Sequence, residues 1–224
     1  MTETLALLES NLGKARARGL LDLGEIVVDG DVDPNGLINS ATIRAAIAKL
    51  PPYEPIVLRF KDAIGGNLEE AFKINLLLRD SGRKVVANIE RIASAATVIA
   101  CAAQEVTIVA DGNYAIHDPH VRSSIFSEYR VLTIADLQLI ASQLCESREL
   151  ILDVYVARTG ADRKTIASLM RMTTVLTPED ALKYGFVDRI VPALPKPETG
   201  EGVCSCPDCP RHVKADAVQG DRME

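Results

Sequence analysis

Four places in this 224-residue sequence bring together residue types that can do chemistry. Gly65-Gly66 falls where the strand-like run Ile56 to Phe60 gives way to a helical pattern. Glycine there allows close backbone approach, and the exposed amides at a helix start favour negative charge, so an oxyanion or a phosphate can sit on them. The pair is also what a tight turn looks like, and it is not a P-loop, because the Gly-Lys-Ser/Thr pattern is absent. Ser94 stands in a similar place, after the strand pattern Lys84 to Ile89 and at the head of a small-residue helix, where the Ala95 amide can face the same space as Gly66. The alternative is a serine that caps the helix. His117 ends a short strand pattern, and a hydrolytic serine needs a base of near-neutral pKa beside it; a structural histidine is the alternative. Asp118-Pro119-His120 reads as the chain leaving the sheet, a solvated turn rather than a metal site, because two residues do not close a coordination shell.

The fourth place is near the C-terminus, where Cys204, Cys206, Cys209 and His212 put three thiols and one imidazole within nine residues. Zinc takes four such ligands tetrahedrally, and a polar segment without a core of its own gains order from that bond energy. The single residue between Cys204 and Cys206 is tighter than the two to four usual in structural sites. The alternative is a disordered tail whose thiols stay free in a reducing compartment.

The elements that must position these groups follow from hydrophobic period. Leu5, Leu8, Leu12 and Ala15 predict a helix over 3 to 21, and Glu25 to Val28 a first strand. Asp29 to Gly36 reads as a turn, and Ser40 to Leu50 as a helix that Pro51-Pro52 stops. After the strand Ile56 to Phe60, Gly65-Gly66 opens a helix that ends at Ser81-Gly82, and Lys84 to Ile89 is the next strand. Ala93 to Ala103 predicts a helix, Val106 to Val109 and Tyr114 to His117 two short strands, and a loop runs to Leu132. Thr133 and Asp136 have capping-box spacing and open one long helix that lasts until Gly160. Shorter helices fit Arg163 to Met170 and Thr177 to Tyr184, followed by a strand at Phe186 to Val191. Strand-helix alternation implies an α/β fold of parallel strands with right-handed crossovers. The expected organisation is an N-terminal helical segment over 1–24, a core domain over 25–191 and a cysteine-containing tail over 192–224.

Composition closes off several functions. Hydrophobic residues at 47% with 25% charged support a folded core rather than a disordered chain. A net charge of −6 argues against nucleic acid and anionic membrane as partners, and the absence of Trp removes much of the stacking capacity that single-stranded binding uses. The acidic start Met1-Thr2-Glu3 lacks the basic then apolar form of a secretory signal, so the expected location is cytoplasmic. Ala93 to Ala103 falls far short of a membrane span.

Taken in order, Phe60 to Asn67, Ala93-Ser94-Ala95-Ala96, Tyr114-Ala115-Ile116-His117-Asp118-Pro119, the long helix, and Leu176 to Asp188 resemble the proteolytic subunit of the Clp protease, including its phage-type relatives. The resemblance covers about residues 25 to 191 and implies a crotonase-like spiral of ββα units with a long protruding handle helix. It implies a serine nucleophile at Ser94, a general base at His117, and an oxyanion hole from the amides of Gly66 and Ala95. It also implies a homo-oligomeric ring, a peptide or protein substrate and no catalytic cofactor, zinc being a candidate for the tail alone. An AAA+ unfoldase is a family partner, but residues 1 to 24 do not resemble the family's axial-loop segment. The family's triad acid falls on Thr173, and its neighbour, used in contacts between rings, on Thr174. Without that carboxylate the histidine tautomer is less fixed and the imidazolium less stabilised, which implies a weak peptidase. The family's Asn-Ser-Pro-Gly-Gly is here Asp62-Ala63-Ile64-Gly65-Gly66, and its glycine-rich substrate strand is Val121 to Ile125. Two other functions stay open: a non-catalytic ring subunit or scaffold of the same fold, and acyl-CoA chemistry on the crotonase superfold.

Overall fold

The computed structural model describes residues 20–121 and 131–193. Every second residue of β4 (Ile56–Ala63) is buried as far as Phe60, and β6 (Val85–Ala93) alternates in the same way through Val85, Ala87 and Ile89. That period of two is what a strand needs to put one face on the core. With β1 (Leu21–Asp22), β2 (Glu25–Val28), β7 (Glu105–Ile116), β8 (Thr174–Leu176) and β9 (Arg189–Val191) they form a seven-stranded sheet in the order β1-β2-β4-β6-β7-β8, with β9 also on β7. The central pairings are parallel, and only β1 on β2 and β8 on β7 are antiparallel.

A second, two-stranded parallel sheet joins β3 (Asp31–Val32) to β5 (Gly65–Gly66). Each of the first two repeats therefore carries a long strand, a short strand and a helix: β2-β3 with α1 (Ser40–Ile47), then β4-β5 with α2 (Leu68–Asp80). Asn39 and Asn67 supply the N-caps, accepting from the amides of Thr42 and Glu70. Glu70 in turn accepts from the Ser40 amide at 2.8 Å, so the first turn of α2 also satisfies the start of α1. The short α3 (Ala95–Ala100) is wholly buried. The chain then continues through α4 (Ile134–Thr159), α5 (Arg163–Arg171) and α6 (Pro178–Lys183).

Thr133 and Asp136 close a full capping box on α4, and Gly160 ends it. Only Ile151, Leu152 and Tyr155 of this helix are buried, while Leu137, Leu139 and Leu150 are exposed. Leu137, Leu139 and Leu150 are thus not absorbed by this chain's own core. Among the described residues no helix is long and apolar enough to cross a membrane.

Several expectations change. Of the helical segment over 1–24, the described end is a strand: Leu21 and Asp22 fold back through Leu23-Gly24 to pair with β2. Gly65-Gly66 does not open a helix but is a strand, since Asp31 and Val32, read as part of a turn, offer it a parallel partner. The two strands expected before and after Val109 are one, β7, whose halves pair with separate parts of β6 across a shift in register between Ile89 and Arg91. Strand β8 was hidden because three residues show no period of their own. The rest of the expected helix over 3 to 21, the Arg122 to Ile125 stretch and the tail with Cys204, Cys206, Cys209 and His212 lie outside the described residues.

Candidate active site

Strand β6 delivers Ser94. Its backbone turns sharply there, at φ 56° and ψ −133°, so that the chain passes from strand to α3 in one residue. A side chain that is not glycine rarely holds a positive φ, and such strain concentrates at functional sites. Ser94 occupies the N-cap position but makes no capping bond, which sets the capping alternative aside. The Ala95 N–H is the first amide of α3 and has no acceptor within the helix.

Two contacts hold the turn. The Ser94 amide donates to the Ala115 carbonyl of β7 at 3.0 Å. The Ser94 carbonyl accepts from Thr97 Oγ1, which in turn meets the Tyr155 hydroxyl, both at 2.5 Å. Thr97 is fully buried and Tyr155 nearly so, and burial pushes the Tyr155 hydroxyl well up, so it stays protonated and donates to Thr97. Tyr155 belongs to α4, and the long helix is therefore bonded through one threonine to the backbone of Ser94.

The β5 strand lies against this turn. Gly65 has φ 95°, and a Cβ there would come within 2.6 Å of Ser94 Cβ and 2.8 Å of the Ala95 nitrogen. Gly66 has φ 123°, and a Cβ there would meet the Val32 carbonyl oxygen at 2.4 Å. Glycine is required at both, for conformation and for space.

His117 lies just past the end of β7, half-buried. Its Nδ1 is 2.6 Å from the Asp118 carbonyl oxygen. Ser94, Ala95, Gly66 and His117 all line one cavity of about 460 Å³, closed on the far side by Leu144, Ser147, Ile151 and Tyr155 of α4. The structure thus brings four of the expected site residues together. No hydrogen bond joins Ser94 to His117 among the described residues.

Thr173 is not on the cavity wall. It is exposed, at φ 53°, and its amide donates to the Met170 carbonyl, which also accepts from the Asp118 amide; both distances are 3.0 Å. Ile116 and Thr174 are the last pair of the β7–β8 register, so Thr173 and His117 each stand one residue beyond it, and no hydrogen bond joins them. Asp118 is half-buried outside the regular elements, and its carboxylate pairs with Arg148 at 3.0 Å. His120 is exposed at the cavity wall with its ring centroid 4.9 Å from that of His117. Sequence reasoning missed Thr97, Tyr155 and Arg148, which give no local signal because their partners are distant in the chain.

The parallel α/β sheet thus brings a serine on a strained turn and a histidine to one cavity beside a glycine pair. The chain belongs to the Clp protease family, whose model matches residues 26–193. A Synechocystis sp. protein described as ATP-dependent Clp protease proteolytic subunit-like is 35% identical over 65 residues, 28% of this chain and 29% of the relative's length. Among solved structures, a mutant of ClpP1 from Listeria monocytogenes superposes with a TM-score of 0.61 at 18% identity, over 83% of this chain and 96% of that one. The fold is that of the Clp proteolytic subunits.

Proposed function

We propose that this chain is a serine peptidase. Ser94 Oγ attacks the peptide carbonyl carbon while His117 Nε2 takes its proton, and the amides of Gly66 and Ala95 hold the oxyanion that forms. His117 then gives the proton to the leaving amine, the acyl group stays on Ser94, and water attacking by the same route releases the acid. The observation that carries this reading is Ser94 itself, strained at φ 56°, free of any capping role and facing the cavity that His117 also lines. The position of Thr173 beside His117 leaves the site without a carboxylate at the family's triad position, so turnover is slow. The test is a fluorophosphonate probe, which labels the wild-type chain slowly and leaves Ser94→Ala and His117→Ala unlabelled. Equal labelling of all three overturns the assignment.

A non-catalytic ring subunit is the second reading, favoured by the absence of a Ser94–His117 hydrogen bond; the same probe decides, since a scaffold takes no label at Ser94. The exposed leucines of α4 support assembly into a homo-oligomeric ring that encloses the cavities, acting on peptides or proteins in the cytoplasm. Sedimentation that finds only a 24.2 kDa monomer at micromolar concentration overturns that assembly. The tail set of Cys204, Cys206, Cys209 and His212 is proposed on sequence alone as a zinc site, structural rather than catalytic. Elemental analysis of the intact chain against a Cys206→Ser/Cys209→Ser double variant tests it.

A further inference from the structure

We infer that the Asp118–Arg148 ion pair is the positioning device that orients His117 in place of a triad acid. The inference rests on the serine–histidine reading above and names how its base is held.

His117 needs its Nε2 free to accept a proton, which requires the hydrogen to sit on Nδ1. The Nδ1 atom lies 2.6 Å from the carbonyl oxygen of Asp118, and a carbonyl oxygen only accepts, so this contact selects that tautomer. Among the described residues His117 makes no ion pair with a carboxylate, and Thr173 reaches it with no hydrogen bond. The backbone oxygen of Asp118 is the group that does the orienting.

A carbonyl orients a ring only if the residue that carries it is held, and three constraints hold Asp118. The Asp118 amide donates to the Met170 carbonyl at 3.0 Å. Pro119 follows, and the residue before a proline is confined to extended conformations. The Asp118 carboxylate accepts from Arg148 Nε at 3.0 Å, with the two side chains 34% and 24% exposed. Arg148 stands on α4 next to Ser147, which lines the cavity, so the handle helix fixes the peptide that fixes the base.

The pair differs from a triad acid in its electrostatics. A triad carboxylate favours the imidazolium by its negative charge, whereas the Asp118 carboxylate is matched by a guanidinium and acts by position. The two modes predict opposite effects for one substitution. Arg148→Gln removes the clamp but frees the carboxylate: positioning makes acylation slower, and charge stabilisation would make it faster.

The experiment measures the rate constant and the inhibition constant for fluorophosphonate labelling of the full-length chain in wild type, Arg148→Gln, Asp118→Ala, the double variant, Arg148→Lys and Ser94→Ala. The expected result is a loss of roughly 10- to 100-fold in the rate constant for each single change, with the inhibition constant unmoved. The double variant is no slower than either single one, because the pair acts as a unit. Arg148→Lys recovers part of the rate by keeping an ion pair. Either single variant suffices should the other fail to fold, since the pair is approached from both sides. Labelling of Arg148→Gln or Asp118→Ala within about twofold of wild type, or faster labelling of Arg148→Gln, overturns the positioning role while leaving the peptidase reading intact. Labelling that survives Ser94→Ala, or a wild-type chain that takes no label, overturns both.

Discussion

Gly65 lies directly against Ser94, closely enough that a β-carbon on the one would stand 2.6 Å from the β-carbon of the other. The short strand β5 is therefore the wall on which the nucleophile's turn is built, and its partner β3, distant in the chain, holds that wall in place. Gly65→Ala is expected to fold less stably and to label far more slowly with a fluorophosphonate. The positive φ alone costs about 1–2 kcal/mol, and the clash displaces Ser94 on top of that. Wild-type labelling kinetics in a folded Gly65→Ala variant would show that β5 does not hold the nucleophile.

Thr97 and Tyr155 make a graded pair of tests. Thr97→Val leaves the buried Tyr155 hydroxyl without its acceptor, at about 1–3 kcal/mol for an unsatisfied buried group, while the Ser94 carbonyl keeps the Thr97 amide at 3.0 Å. Tyr155→Phe removes the outer hydroxyl only, and Thr97 still donates to Ser94, so about 0.5–1.5 kcal/mol is expected. Thermal denaturation ranks the two, and the order is reversed if Tyr155 holds α4 by some other contact.

Thr173→Asp is expected to raise the labelling rate about 10-fold or more, a part of the ~10⁴ that the orienting acid is worth in a complete triad. The variant sets a carboxylate in the register position beside His117, and the φ of 53° there is one that Asp tolerates better than Thr. An unchanged rate would mean that a charge at this position does not reach the imidazole.

Glu70 predicts an acid-sensitive joint between α1 and α2. Burial works to raise its pKa, but the Ser40 amide and the Lys73 ammonium outweigh that and hold it below the usual 4.5. A carboxyl lowered on folding stabilises the protein above its unfolded value and loses that contribution as the pH falls below 4.5 towards the folded value. Glu70→Gln should thus lower stability by about 1 kcal/mol near neutral pH and by progressively less in acid. Melting curves of both proteins from about pH 3 to about pH 7 check this, and a difference that stays constant with pH rejects it.

Period and capping chemistry in the sequence determined the long helix α4 and the strands β4 and β6, because both signals are local. The Thr133–Asp136 box and the apolar alternation of Ile56 to Phe60 mark their elements without help from the rest of the chain. The identities at Ser94, His117 and Gly65-Gly66 were legible as candidates for the same reason: each sits at a strand end. What only the tertiary structure decided are relations between residues far apart. The pairing of Asp31-Val32 with Gly65-Gly66 turned an expected turn and helix start into a sheet. The bond from Thr97 to Tyr155 spans 58 positions, and the ion pair from Asp118 to Arg148 spans 30. Neither has a periodic trace, since a polar side chain's partner is set by which elements pack together and not by its neighbours in sequence. The strained φ of Ser94 belongs to the same class, because a backbone holds such a conformation only when the strands and helix around it leave no other.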